Sequence, residues 1–290
     1  MFRWTRNGVG AFPRRLSYAI GHVGTWIAWR LMPALRCAVA DNLRPLFPHD
    51  SERDLQRRAL KTIRSYACDV IDFLRALDAD DDDAGRMFTV RESDTALFLK
   101  LRSESHGMIL VSGHYGNWEI GGVAMRKRFH MPLSILAMPE ASEEVTRIRR
   151  EIRDALGIET IEVRQSLDTP LRITRQLRDN GIVALLMDRH LDRDRVKVTF
   201  LGRTAWFLQT PALMGFLTGA PLVPCFIERA GPGRFAMELG VPIVVARDIP
   251  RDDAIQGAAQ QFADQLASRV SAQPQYWYQF YSYWESQPPS

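Results

Sequence analysis

The most regular pattern of apolar positions lies in the first third of the chain. Leu55, Leu60, Ile63, Tyr66, Val70, Phe73, Leu74 and Leu77 recur at spacings of three and four, the mark of a helix that buries one stripe. Ser51 with Asp54 supplies its start, and residues 15–77 read as helical. The acidic run at 80–83, followed by Gly85, reads as a solvated break. Beyond it the pattern changes to short apolar runs separated by amphipathic stretches. Strands are expected at 107–112, 132–138, 158–163 and 182–187, with 196–200 continuing the sheet. Residues 222–228 and 234–239 read as a hairpin across Ala230-Gly231-Pro232-Gly233. Helices are expected at 143–156, stopped by Gly157, and from Asp168-Thr169-Pro170 to Asn180-Gly181. Two more run from Thr210-Pro211 to Gly219 and over 252–270, where Ile255, Ala259, Phe262, Leu266 and Val270 share a face. This alternation predicts an α/β fold, a layered central mixed sheet flanked by helices.

Composition adds little until its distribution is considered. A chain of 290 residues that is 46% hydrophobic can bury a full core without disulfides or metal. The net charge of +4 is no nucleic-acid signature, and no nucleic-acid partner is expected. Through His49, however, seven arginines (Arg3, Arg6, Arg14, Arg15, Arg30, Arg36 and Arg44) face only Asp41, with Trp4, Trp26 and Trp29 interleaved. Guanidinium groups meet lipid phosphates and indole rings sit at headgroup depth, so residues 1–45 are expected to form a helical membrane-associating segment ahead of a 46–290 catalytic domain. The alternative is an ordinary helix packed on the domain. The most apolar window, 16–35, carries Arg30, His22 and Pro33, and suits lying in an interface better than crossing it. The catalytic body is therefore expected in the cytoplasm, on the membrane face. Cys37, Cys68 and Cys225 are far apart among apolar neighbours and read as buried thiols.

The stretch that carries chemistry is Ser112-Gly113-His114-Tyr115-Gly116-Asn117-Trp118-Glu119, placed after a buried strand and at the opening of a helix. On one continuous helix His114 and Glu119 would point about 140° apart. With His114 on the turn and Glu119 in the first helical turn, the two can meet. Gly113 and Gly116 permit the tight backbone, and Asn117 suits a helix cap. A carboxylate bonded to one imidazole nitrogen fixes the tautomer and raises the basicity of the other, which can then deprotonate an alcohol. Asp188, Arg189 and His190 follow another buried strand, where open α/β sheets place ligand sites. Arg189 can bind a phosphate or carboxylate there, or pair with Asp192 or Asp194. Arg164 ends a further strand.

The Gly-His-Tyr-Gly-Asn-Trp-Glu segment resembles the lysophospholipid acyltransferase superfamily, and within it the bacterial lipid A biosynthesis branch of lauroyl and myristoyl transferases. Ala184–His190, Phe200-Leu201-Gly202-Arg203-Thr204-Ala205 and Thr218-Gly219-Ala220-Pro221-Leu222-Val223-Pro224 resemble further blocks of that family. The resemblance implies transfer of an acyl group from acyl carrier protein or coenzyme A to a lipid or glycolipid hydroxyl, mannosides included. His114 is then the base, oriented by Glu119. Asn117, or backbone N–H groups near it, faces the oxyanion, and Arg203, with Asp188, Arg189 and Arg164, serves substrate binding. No metal or redox cofactor is implied. A thioester hydrolase and a non-catalytic lipid-binding protein are the alternatives. The absence of a Gly-x-Ser-x-Gly elbow weighs against a serine esterase. The aromatic run 275–284 reads as core or interfacial packing, with lipid contact as its functional alternative.

Overall fold

A computed structural model describes residues 12–128, 132–137, 143–163 and 168–285. Its frame is a seven-stranded mixed sheet of β1 (Phe88–Val90), β2 (Met108–Ser112), β3 (Leu133–Ala137), β4 (Glu159–Glu162), β5 (Ile182–Leu186), β8 (Leu222–Gly231) and β9 (Arg234–Leu239), in the order β1-β9-β8-β2-β5-β3-β4. The strands β4, β3, β5, β2 and β8 run parallel, β9 returns antiparallel to β8, and β1 lies parallel to β9. The central strands are near-continuous runs such as Met-Ile-Leu-Val and Ile-Val-Ala-Leu-Leu, as strands covered on both faces require. Helices α5 (Glu92–Ser103), α6 (Trp118–Val123), α7 (Glu143–Ala155), α8 (Asp168–Arg178), α9 (Thr210–Thr218) and α10 (Arg251–Ala272) complete the α/β body. Ile109, Val111, Val183 and Leu185 face one core with Ile173, Phe262 and Leu266. Met108, Leu110, Leu133 and Ile182 face another with Met125 and Ile158.

The expected elements fall where the patterns placed them, with three differences. Residues 196–200 do not extend the sheet. As β6 (Val196–Phe200) they pair only with β7 (Arg203–Phe207), in a separate two-stranded ribbon. Leu201 and Gly202 both take positive φ, 50° and 76°, which fits a two-residue hairpin turn and supplies a local partner. One buried face is enough to produce the alternation of Val196, Val198 and Phe200, so the pattern does not reveal which sheet a strand joins. The acidic run is not an open break. Asp80 caps the short helix α4 (Asp81–Arg86), accepting from the Asp83 N–H at 2.6 Å. Of the three thiols, Cys68 is buried and Cys225 half-buried, whereas Cys37 is exposed.

The N-terminal residues form α1 (Arg14–Leu31) and α2 (Pro33–Leu43), followed by α3 (Glu52–Asp78), the stripe helix, which Ser51 caps. Helix α1 is packed in an unusual sense. Ser17 and Thr25 face inward, while Leu16, Ile20, Val23, Ile27 and Leu31 are between 45% and 75% exposed. Those five positions fall on one side of the helix. Among the described residues no helix is long and apolar enough to cross a membrane.

Candidate active site

The site grows out of the parallel pairing of β2 with β5. Ser112 stands in register with Leu186, and the Met187 N–H donates to the Ser112 carbonyl at 2.8 Å. Two residues further along each strand are His114 and Asp188. The backbone must be tight here. A Cβ on Gly113 would meet the Leu266 side chain at 2.7 Å and the Asp188 carboxyl carbon at 3.2 Å. Gly116 has φ +64°, and a Cβ there would stand 2.0 Å from the Ile227 carbonyl oxygen.

Asp188, fully buried, receives an unusually complete set of donors. His114 Nδ1 lies 2.7 Å from Oδ1, and the His114 N–H reaches both carboxylate oxygens at 3.0 Å. The Trp277 indole N–H and the Gln279 amide donate to Oδ2 at 3.1 and 2.8 Å. Burial disfavours the charged carboxylate, yet His114, Arg189 and the His114 backbone N–H outweigh it and hold Asp188 below the usual carboxylate range. An ionised carboxylate only accepts, so His114 carries its proton on Nδ1 and leaves Nε2 with a free lone pair. Burial also pushes the His114 imidazole below its ordinary value, against the opposing pull of Asp188. Its side chain keeps 13% of its surface exposed, and Trp118 packs edge-on against the ring at 5.3 Å.

The orienting carboxylate therefore belongs to Asp188, expected only as a binding residue, and not to Glu119. Glu119 lies on the wall of the adjoining cavity and forms an ion pair with Arg149 of α7. Asn117 caps α6: its Oδ1 accepts from the Ile120 N–H at 3.2 Å and its amide donates to the Asp69 carbonyl at 3.0 Å. With the amide so engaged and the residue buried, Asn117 shapes the turn from behind, and its side chain is not positioned as an oxyanion donor. Arg189 lines the cavity, donates to Gln279 Oε1 at 3.0 Å and stands 5.1 Å from the Tyr281 ring centroid. Neither Asp192 nor Asp194 holds it; Asp194 accepts instead from the N–H groups of Gln209 and Thr210. Arg203 is exposed at the start of β7, over the Trp284 ring at 5.4 Å, and does not line the cavity. Arg164 lies outside the described residues.

The cavity encloses about 490 Å³, within the range of small-molecule sites. His114 lines it, and it runs over the sheet face that carries Leu110, Ala184 and Ile135, under α6 and α7. Arg149, Arg153 and Arg189 give it a basic rim over an apolar interior. The C-terminal aromatic run closes over the His114 turn: the Tyr276 carbonyl accepts from the Gly116 N–H at 2.8 Å, and the Tyr278 N–H donates to the His114 carbonyl at 2.6 Å. Sequence reasoning took this run for packing and so missed Trp277, Tyr278 and Gln279. A signal was present in Gln279, an amide set among aromatic residues and buried with them. Arg149 and Arg153 gave none, because arginines on a charged helix read as solvated.

A buried carboxylate, an imidazole it holds in one tautomer, and an apolar cavity below make up a site for activating a hydroxyl or water next to a long apolar substituent. The chain belongs to the bacterial lipid A biosynthesis acyltransferase family, whose model matches residues 4–286. It is similar to the phosphatidylinositol mannoside acyltransferase of Mycobacterium tuberculosis, 28% identical over 181 residues, 61% of this chain and 54% of that protein. The protein of the same name from Mycolicibacterium smegmatis is 27% identical over 181 residues, 61% of this chain and 57% of that protein. The matched stretch thus spans little more than half the length of these relatives.

Proposed function

We propose that the protein transfers a fatty acyl group from an acyl carrier protein or coenzyme A thioester to a hydroxyl of a glycolipid acceptor, with His114 as general base. The observation that carries this reading is the His114–Asp188 pair, whose imidazole lines a largely apolar cavity. Nε2 takes the acceptor's proton as its oxygen attacks the thioester carbonyl. Asp188 stabilises the imidazolium that forms, and the proton then passes to the leaving thiolate. The acyl chain lies in the cavity. Arg149, Arg153 and Arg189 offer the rim to phosphates of donor or acceptor, as guanidinium groups are suited to do. Glu119 acts through Arg149, fixing that guanidinium on the cavity wall. The relatives' names favour a mannoside-type glycolipid as acceptor.

The test is acyl transfer by purified protein from tetradecanoyl and hexadecanoyl thioesters to phosphatidylinositol mannoside or a lipid A precursor, followed by mass spectrometry. His114→Ala is expected to lower the rate at least about a hundredfold, the lower end for removal of a general base. Transfer within threefold of wild type would remove His114 from the mechanism. Release of free fatty acid alone by the wild type would make the protein a thioester hydrolase.

The outward apolar stripe of α1, flanked by Arg15 and Arg30, supports docking on an anionic membrane surface. We expect flotation with vesicles containing phosphatidylglycerol, weakened only in part by high salt. Replacing Ile20 and Ile27 together by aspartate is expected to abolish it. A doubly substituted protein that floats like wild type would assign the stripe to some other contact.

A further inference from the structure

We infer that Ala184 sets how long an acyl chain the cavity accepts, acting with Gly122 as a gap halfway down its length. The inference rests on the acyl-binding reading of the cavity proposed above. The parallel registers divide the cavity floor into levels. Ser112 and Leu186 form the upper level, beside His114. Leu110, Ala184 and Ile135 form the middle one, in register across three adjacent strands. Leu133 stands in register with Ile182 at the bottom, where Met125 also lines the cavity. Top to bottom is four residue steps of strand, about 13 Å.

Large side chains flank the middle level at Leu110 and Ile135, and Ala184 between them leaves the only short side chain of the three. On another wall of the cavity Gly122 of α6 presents backbone: a Cβ there would meet Ile158 Cδ1 at 3.2 Å and Ile135 Cδ1, of the middle level, at 3.8 Å. Ala184 is half-buried while Leu110 is buried, as befits a short residue facing open space. On the acyl-binding reading, a chain that runs from His114 to Leu133 and Met125 crosses the middle level at Ala184, near Gly122. Lengthening residue 184 would close the passage at mid-depth, and shortening Met125 would deepen the floor.

The measurement is binding of saturated fatty acids from octanoate to octadecanoate by calorimetry, alongside kcat/KM for the matching coenzyme A thioesters. Ala184→Leu is expected to weaken hexadecanoate binding and lower kcat/KM for the hexadecanoyl donor at least tenfold, while octanoate and its thioester stay within threefold of wild type. Ala184→Val should give a smaller shift in the same direction. Met125→Ala should move the preference towards longer chains, which keeps the test decisive if the leucine variant does not fold. An unchanged length preference in folded Ala184→Val and Met125→Ala proteins, or an equal loss at every length, overturns the inference. Length-selective binding without transfer would leave the inference standing and overturn the transferase reading. A wild-type protein that binds no fatty acid overturns the inference itself.

Discussion

Two buried acidic sites are linked through Tyr278, Asp188 at the His114 turn and Asp69 with Asp72 on α3, and they are built on opposite principles. At Asp188 one carboxylate is held by neutral donors: a backbone N–H, an indole, an amide and a neutral imidazole. At Asp69 and Asp72 of α3, two carboxylates face two guanidinium groups, Arg229 paired with both and Arg14 3.3 Å from Asp72, with the Tyr18 and Tyr278 hydroxyls donating to Asp72 and Asp69 at 2.6 Å each. Burial pushes Asp69 up to about 6 despite Arg229 beside it, whereas Asp188, just as buried, is held low. Full countercharge makes a cluster that can hold parts together but has no charge left to offer. Neutral donors leave the Asp188 charge offset only by the nearby Arg189, so an imidazolium formed on His114 would gain from it. The first arrangement is a fastener between α1, α3, β8 and the C-terminal run; the second is a site.

The sharpest way to break this contrast is Asp188→Asn. An amide can still accept from the Nδ1–H, but its NH₂ group would face the Trp277, Gln279 and His114 donors with nothing there to accept. We expect kcat to fall about a hundredfold or more, with KM for the acyl donor changed little. The pH profile separates this from simple damage. His114 must be neutral to act, and burial sets it below the ordinary imidazole value of about 6.5, so the acid limb of wild-type kcat should lie below that pH. Asp188 raises the His114 value, so its neutralisation should move the limb to still lower pH. Glu119→Gln should leave the limb in place, whatever it does to the rate. A limb moved by Glu119→Gln and not by Asp188→Asn would return the orienting role to Glu119.

That exchange of roles also marks what the sequence could and could not convey. The strands at 108–112 and 182–186 are legible because buried parallel strands are short apolar runs, and Gly157 and Gly219, both at positive φ, end their helices as anticipated. His114 stands out by its motif. Asp188 was visible as a residue at a strand end, but its partner lies 74 positions away. The pairing needs the register of β2 on β5, which two equally apolar strands do not encode locally. Glu119, only five positions from His114, was the nearest acid on offer, and proximity in sequence misled. The same limit hid the closing of the C-terminal aromatics over the turn, since packing residues and cage residues share one composition. For α1 the pattern located the helix, and only the structure shows that its apolar stripe points outward.

A smaller substitution tests the link between the two clusters. Tyr278 belongs to both: its N–H holds the His114 carbonyl and its hydroxyl holds Asp69. Tyr278→Phe keeps the first contact and removes the second. If the Asp69 cluster is only a fastener, kcat should fall less than about tenfold, while stability drops by roughly 1–3 kcal/mol for a buried acceptor that loses its donor. The sign of the pH effect follows from Asp69. The tyrosine hydroxyl favours its ionised form, and that form prevails above about pH 6. The stability gap between wild type and variant should therefore be full above the still higher value that Asp69 takes in the variant, and narrow as the pH falls from there towards about 6. Thermal denaturation at several pH values, run beside steady-state kinetics, measures both quantities. A loss of kcat as large as that of Asp188→Asn, with stability unchanged, would mean that Asp69 acts on His114 through Tyr278 and that the two clusters are one site.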